Sequence, residues 1–224
     1  MTKRRGLFLT FEGPDGSGKS TQAARLAARL RHVGYKVVES VEPGGTEIGK
    51  QIRRILLDPA NHDLCPTAEM LLMFAARAQN VDRLILPALR EGAIVISDRF
   101  TDSTLAYQGA ARGLGAEVVL EVDRIACRGL VPDLTLCVDV DVETGLHRAQ
   151  ARNRAGKKDE SRLDDHAAEF HRKVRAAYHQ IAAEEPTRVR LVDGTPGADE
   201  VSAQVWTIVQ EFLASRPFPP PQRG

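Results

Sequence analysis

The 224-residue chain is 42% hydrophobic and 27% charged, the balance of an ordinary globular protein with enough length to bury one core. Its 31 Lys+Arg against 30 Asp+Glu leave a net charge of +1, which excludes a polyelectrolyte such as nucleic acid as the main ligand and makes any anion recognition local. The cysteines, Cys65, Cys127 and Cys137, show no C-x-x-C spacing and read as reduced thiols of a cytoplasmic protein. No apolar run reaches the length of a membrane span, and the charged residues at 1–5 are not followed by a signal-peptide apolar region.

In chain order, Leu7-Phe8-Leu9-Thr10-Phe11 is an apolar run that predicts a buried strand. It leads into Gly13-Pro14-Asp15-Gly16-Ser17-Gly18-Lys19-Ser20 and Thr21, which reads G-x-x-x-x-G-K-S, and the spacing beyond predicts a helix over 22–33 capped by Gly34. Strand, loop and helix in that order are the setting of a phosphate-binding loop. The glycines let backbone N–H groups turn inward around an anion, Lys19 can reach the β- and γ-phosphates, and the Ser20 hydroxyl can hold Mg²⁺. A second strand over 36–41 closes a βαβ unit, hence a parallel pairing. Glu42-Pro43-Gly44-Gly45-Thr46 then marks a sharp turn before a short helix over 47–57.

A long helix is predicted over 67–90, capped by Thr67-Ala68-Glu69 and bent or shortened near Pro87. Ala93-Ile94-Val95-Ile96 predicts a third buried strand, ending in Ser97-Asp98-Arg99. Open α/β sheets bind ligands at such strand ends, so Asp98 is the candidate to hold the Mg²⁺ shell in the manner of a Walker B acid. Helices follow over 101–112 and 116–128, a strand over 134–140 and a helix over 143–154. A charged segment over 155–162 breaks the pattern before a helix over 165–185, a fifth strand over 189–192 and a closing amphipathic helix through Val201, Val205 and Val209. His166, His171 and His179 are expected along a solvated helix, without metal-ligand spacing.

A phosphate loop alone serves binding, switching, hydrolysis or transfer. Four further stretches narrow the choice. Glu12-Gly13 to Thr21, Glu42-Pro43-Gly44-Gly45-Thr46, Phe74-Ala75-Ala76-Arg77, Asp98-Arg99-Phe100 and Ser103-Thr104-Leu105-Ala106-Tyr107-Gln108-Gly109 together resemble the bacterial thymidylate kinases, in order and approximate spacing, from Leu7 to Phe212. The resemblance implies transfer of the γ-phosphoryl of ATP to dTMP with Mg²⁺, in a homodimer. It implies that Phe74 stacks on thymine and Arg77 donates to its O4, with Pro43 also in the dTMP site. It places Arg99 between the dTMP phosphate and the transferring group, Asp15 on the sugar 3′-hydroxyl, and Tyr107 against the sugar's 2′ carbon with Ser103 and Gln108 nearby. Asp15, Lys19, Arg99 and Arg152 are thereby the catalytic candidates. The loop from Gly13 to Thr21 with Arg148 and Arg152 is the candidate ATP site, and Arg162 a lid residue on the dTMP side. Ser20 and Asp98 are the candidate metal ligands.

The expected fold is α/β, a P-loop NTPase fold with a five-stranded parallel sheet flanked by helices on both sides. One domain is expected over 1–216 with a lid about 152–163, and a disordered Pro-rich tail over 217–224. The rivals are a kinase of another nucleotide, such as dUMP or UMP, and a nucleotide-dependent switch. The switch predicts an Asn-Lys-x-Asp run for guanine, which the sequence lacks.

Overall fold

The computed structural model describes residues 5–155 and 168–216. The chain alternates strands and helices: β1 (Leu7–Glu12), α1 (Lys19–His32), β2 (Val37–Val41), α2 (Glu47–Leu57), α3 (Pro66–Asn80), α4 (Leu86–Arg90), β3 (Ile94–Asp98), α5 (Thr101–Thr104), α6 (Ala116–Cys127), β4 (Leu134–Asp139), α7 (Val142–Ala155), α8 (Ala168–Glu184), β5 (Val189–Asp193) and α9 (Ala198–Ala214). The sheet is five-stranded in the order β2-β3-β1-β4-β5, every pairing parallel. Strand β1 is central, and the order reverses beside it, so its C-terminal end opens into the crevice where such sheets take ligands.

The predicted elements stand with shifted ends. Helix α1 begins at Lys19, three residues before the apolar spacing starts, because the phosphate loop closes directly into its first turn. Helix α3 starts at Pro66 behind Cys65, not at Thr67, proline being favoured at a first helical position where its missing N–H costs nothing. The expected break at Pro87 takes the form of a π turn at Val81–Ile85 joining α3 to α4. That turn contains Arg83, whose carbonyl the Pro87 ring would otherwise meet. A second π segment, Leu105–Ala111, extends α5.

All six residues of β1 are buried because both faces of the sheet are covered. Leu7, Leu9 and Phe11 pack with Leu26 and Leu30 of α1 and Val201, Val205 and Val209 of α9. Phe8 points the other way, into Val81, Ile85, Leu89 and Phe100. Side chains alternate along a strand, so Thr10 and Glu12 follow Phe8 to that second face. There a polar seam replaces the apolar core, and it runs toward the crevice.

Candidate active site

The phosphate loop joins β1 to α1, and its glycines are required by close backbone approaches. Gly13 has φ +132°, and a Cβ there would lie 2.2 Å from Val138 O; one on Gly16, at φ +74°, would lie 1.9 Å from Gly145 O. Gly18 forms the left-handed N-cap of α1, whose first turn has neither a capping side chain nor an acidic residue, leaving its amides to an anion. Lys19 Nζ donates to Pro14 O at 3.2 Å and lies 3.8 Å from Asp15 Oδ1. Burial and then the charge of Arg99 lower its pKa. Ser20 and Thr21 stand exposed on the first turn of α1.

Strand β3 runs beside β1 with Asp98 opposite Phe11, so Asp98 and Arg99 emerge next to the loop. Asp98 Oδ1 is buried without a hydrogen-bond partner among the described residues. Arg99 holds a positive φ of 74°, a strained conformation for a side chain of this size. Its backbone is pinned on both sides: Arg99 N donates to Phe11 O at 2.9 Å and Ser97 Oγ donates to Arg99 O at 2.8 Å. The guanidinium then forks, Nη2 to Asp15 Oδ1 at 2.5 Å and Tyr107 OH at 3.2 Å, Nη1 to Ser103 Oγ at 2.9 Å. Tyr107 OH donates to Asp15 Oδ2 at 2.7 Å. Burial alone would raise the Asp15 pKa, but the Arg99 and Lys19 charges and the Tyr107 hydroxyl outweigh it and bring it to about 2. Asp15, Lys19, Arg99, Ser103 and Tyr107, predicted from separate stretches, thus converge.

Behind them lies a carboxylate to which the sequence reading gave no role. Glu12, fully buried, accepts from Phe100 N at 2.7 Å, Ser103 Oγ at 2.5 Å and Tyr178 OH of α8 at 3.1 Å. Burial and the neighbouring Asp102 raise its pKa to about 7. Asp102 is in turn clasped by Arg188 at 2.7 and 2.9 Å. The signal was one acidic residue ending a strand that is apolar but for Thr10. His171 corrects the expectation of a solvated helix. It is 2% exposed, its Nε2 has no partner among the described residues, and it adds to the forces lowering Asp15. His179 stands half-exposed 3.1 Å from Asp139, and His166 lies outside the described residues.

On the far side of Arg99, Arg77 is buried with Nε 2.5 Å from Glu42 Oε2 and Nη2 donating to Phe100 O at 2.9 Å, while Nη1 has no partner among the described residues. Its guanidinium lies over the rings of Phe74 at 4.9 Å and Phe100 at 5.1 Å. Phe74 is itself packed among Met70 and Val119, between α3 and α6. Pro43 is buried after a cis peptide bond and its carbonyl accepts from Arg53 at 3.1 Å. Gln108 is turned into the helix packing, where its amide donates to Glu69 Oε1 at 3.0 Å.

On the other side of the loop, Arg148 of α7 donates to Gly194 O at 2.8 Å and Thr195 O at 3.1 Å, tying that helix to the β5–α9 turn. Arg152 follows one turn on, exposed. Arg162, most of the expected lid and the 217–224 tail lie outside the described residues.

A glycine-lined anion cradle at the reversal point of a parallel sheet, facing an arginine fork on the adjacent strand, defines a P-loop NTPase. The Thymidylate kinase family model matches residues 11–205. The chain is 48% identical over 212 residues to a thymidylate kinase of Pelobacter propionicus, covering 94% of this chain and 95% of that one. It is 50% identical over 206 residues to one of Thermomicrobium roseum, covering 92% and 95%. The crystal structure of thymidylate kinase from Ehrlichia chaffeensis superimposes with a TM-score of 0.74 at 31% identity, covering 92% of this chain and 99% of that one. The chain belongs to the thymidylate kinase family. None of the described helices is long and apolar enough to cross a membrane.

Proposed function

We propose that the chain transfers the γ-phosphoryl group of ATP to dTMP, giving dTDP and ADP. The observation that carries this reading is the convergence of Arg99, Asp15 and Tyr107 beside the phosphate loop. An acceptor bound there has its phosphate on Arg99 and its sugar on Asp15 and Tyr107. The loop amides and Lys19 hold the donor phosphates. A phosphate oxygen of dTMP attacks the γ-phosphorus in line as the bond to the bridging oxygen of ADP breaks. Catalysis is positioning and charge neutralisation without a covalent intermediate, Lys19, Arg99 and Arg152 spreading the developing charge. Arg148 is assigned to the ATP side, and Arg162, which lies outside the described residues, to the dTMP side.

The buried Asp98 Oδ1, without a hydrogen-bond partner among the described residues, and the exposed Ser20 hydroxyl fit a Mg²⁺ shell completed by substrate phosphates and water. These two residues would hold the ion, which supplies charge neutralisation on the donor phosphates. Arg77 Nη1, a buried donor without a partner among the described residues, supports the assignment of thymine O4 to this residue, since cytosine presents an amino group there. Phe74 and Pro43 complete that side of the acceptor site, while Gln108, bonded to Glu69, acts only through the packing behind it.

A homodimer is supported by the apolar side chains that α3 and α6 leave exposed: Leu71, Val118, Leu120 and Ile125, the last 78% exposed. Residues 1–216 act as one domain, and the free thiols suit a reducing cytoplasm.

A coupled ADP-release assay across dTMP, dUMP, UMP and dCMP tests the reading. Preference for dTMP is expected, with dUMP next, because the missing 5-methyl is worth only about 1 to 3 kcal/mol. Preference for UMP or dCMP, or ADP release indifferent to the acceptor, would overturn it.

A further inference from the structure

Glu12 sits beneath the site, and its bonds constrain the hydrogens around Arg99. Ser103 Oγ lies 2.5 Å from Glu12 Oε2 and accepts from Arg99 Nη1 at 2.9 Å. Tyr178 OH lies 3.1 Å from the same Glu12 oxygen, 2.9 Å from Ser103 Oγ and 3.4 Å from Arg99 Nη1. Each hydroxyl has one hydrogen to give. A carboxylate only accepts, and a guanidinium only donates. The consistent arrangement therefore directs the Ser103 hydrogen to Glu12 and the Tyr178 hydrogen to Glu12 or Ser103, and leaves oxygen lone pairs facing Arg99. The other Glu12 oxygen takes Phe100 N, fixing the residue that follows the strained Arg99 backbone.

We propose that Glu12 is a positioning residue for Arg99: by taking the hydroxyl hydrogen of Ser103 and the amide of Phe100, and thereby ordering the Tyr178 hydroxyl, it aims the guanidinium at the acceptor phosphate. The inference rests on the reading that Arg99 binds that phosphate. Glu12 itself touches no substrate. Neutral isosteric glutamine cannot replace it, because its amide group must donate, and a donor facing Ser103 or Tyr178 turns that hydroxyl's hydrogen toward Arg99. The structural effect is a misdirected fork in an otherwise unchanged pocket.

The test separates phosphate recognition from pocket integrity by comparing dTMP with thymidine, which lacks the phosphate. Affinities of both are measured by calorimetry at pH 8, above the value of about 7 to which burial raises Glu12. In E12Q, dTMP affinity should fall about ten-fold or more, the scale of a lost charged hydrogen bond, while thymidine affinity stays within about two-fold. Equal losses for both ligands, as a merely structural role predicts, or no loss for either, would overturn the proposal. S103A and Y178F provide a second arm if E12Q does not fold: each should weaken dTMP a few-fold more than thymidine, and parallel losses would overturn the proposal equally. A wild-type protein that binds dTMP no more tightly than thymidine, or fails to phosphorylate it, instead refutes the proposed function, so the two failures are distinguishable.

Discussion

Arg99 Nη2 and Asp15 Oδ1 stand 2.5 Å apart, joining the end of β3 to the phosphate loop that follows β1. Both side chains are largely buried. A cation and an anion from two loops therefore neutralise each other where two anionic nucleotides are to meet. Replacing Arg99 by lysine keeps the charge but removes the planar fork. R99K should lower kcat by about 10² to 10³ with the fold retained, checked by ADP release and by circular dichroism. Wild-type turnover in R99K would remove the fork from the mechanism.

Two buried carboxylates of the site give stability a pH dependence of opposite sign. Asp15 is depressed from an ordinary 3.8 to about 2, so its contribution is complete above about pH 4 and is lost as pH falls toward 2. Glu12 is raised from 4.5 to about 7, so between those values the folded protein keeps a proton that the unfolded chain releases. Its contribution therefore falls as pH rises from about 4.5 to about 7. Melting temperatures of wild type and E12Q between pH 5 and 8 should diverge, wild type losing more on the way up. Parallel curves would mean that Glu12 titrates normally.

Arg77 and Glu42 form an ion pair with both side chains buried. Removing the cation leaves a carboxylate whose pKa burial already raises. R77A should cost about 3 to 5 kcal/mol in urea unfolding. R77A/E42Q should recover part of that loss without recovering discrimination between dTMP and dCMP. Full stability of R77A alone would show that Glu42 is not charged in the fold.

Lys19 is held within the loop rather than by a distant element. K19M should thus keep the melting temperature near that of wild type and lose nearly all turnover. Activity within ten-fold of wild type would exclude the lysine from charge stabilisation.

The apolar stripe on α6 places Val118 and Ile125 seven residues apart on one face. If α3 and α6 form the dimer face, I125D should shift the particle mass from dimer to monomer in light scattering. An unchanged mass would move the interface elsewhere.

The loop, the sheet and the Asp98–Arg99 strand end were legible because each rests on a local demand: glycine where φ is positive, apolar runs where both faces are covered, polar residues where a strand ends. Glu12 was not, since its role depends on Ser103 and Tyr178, which are 91 and 166 residues away. His171 was misplaced for a different reason. It heads the stripe of Val174, Tyr178 and Ala182 on the buried face of α8, a helical spacing present in the sequence but masked by the charged residues between. Phe74 and Gln108 show the converse limit, for motif membership does not reveal how far α6 and Glu69 enclose a side chain.

The most direct test is a crystal structure with dTMP and a non-hydrolysable ATP analogue bound together. The account predicts the Arg99 guanidinium within hydrogen-bonding distance of oxygens on the acceptor phosphate and on the phosphoryl group to be transferred, with Asp15 on the sugar hydroxyl. Arg99 still closed on Asp15, with both nucleotides bound elsewhere, would contradict it.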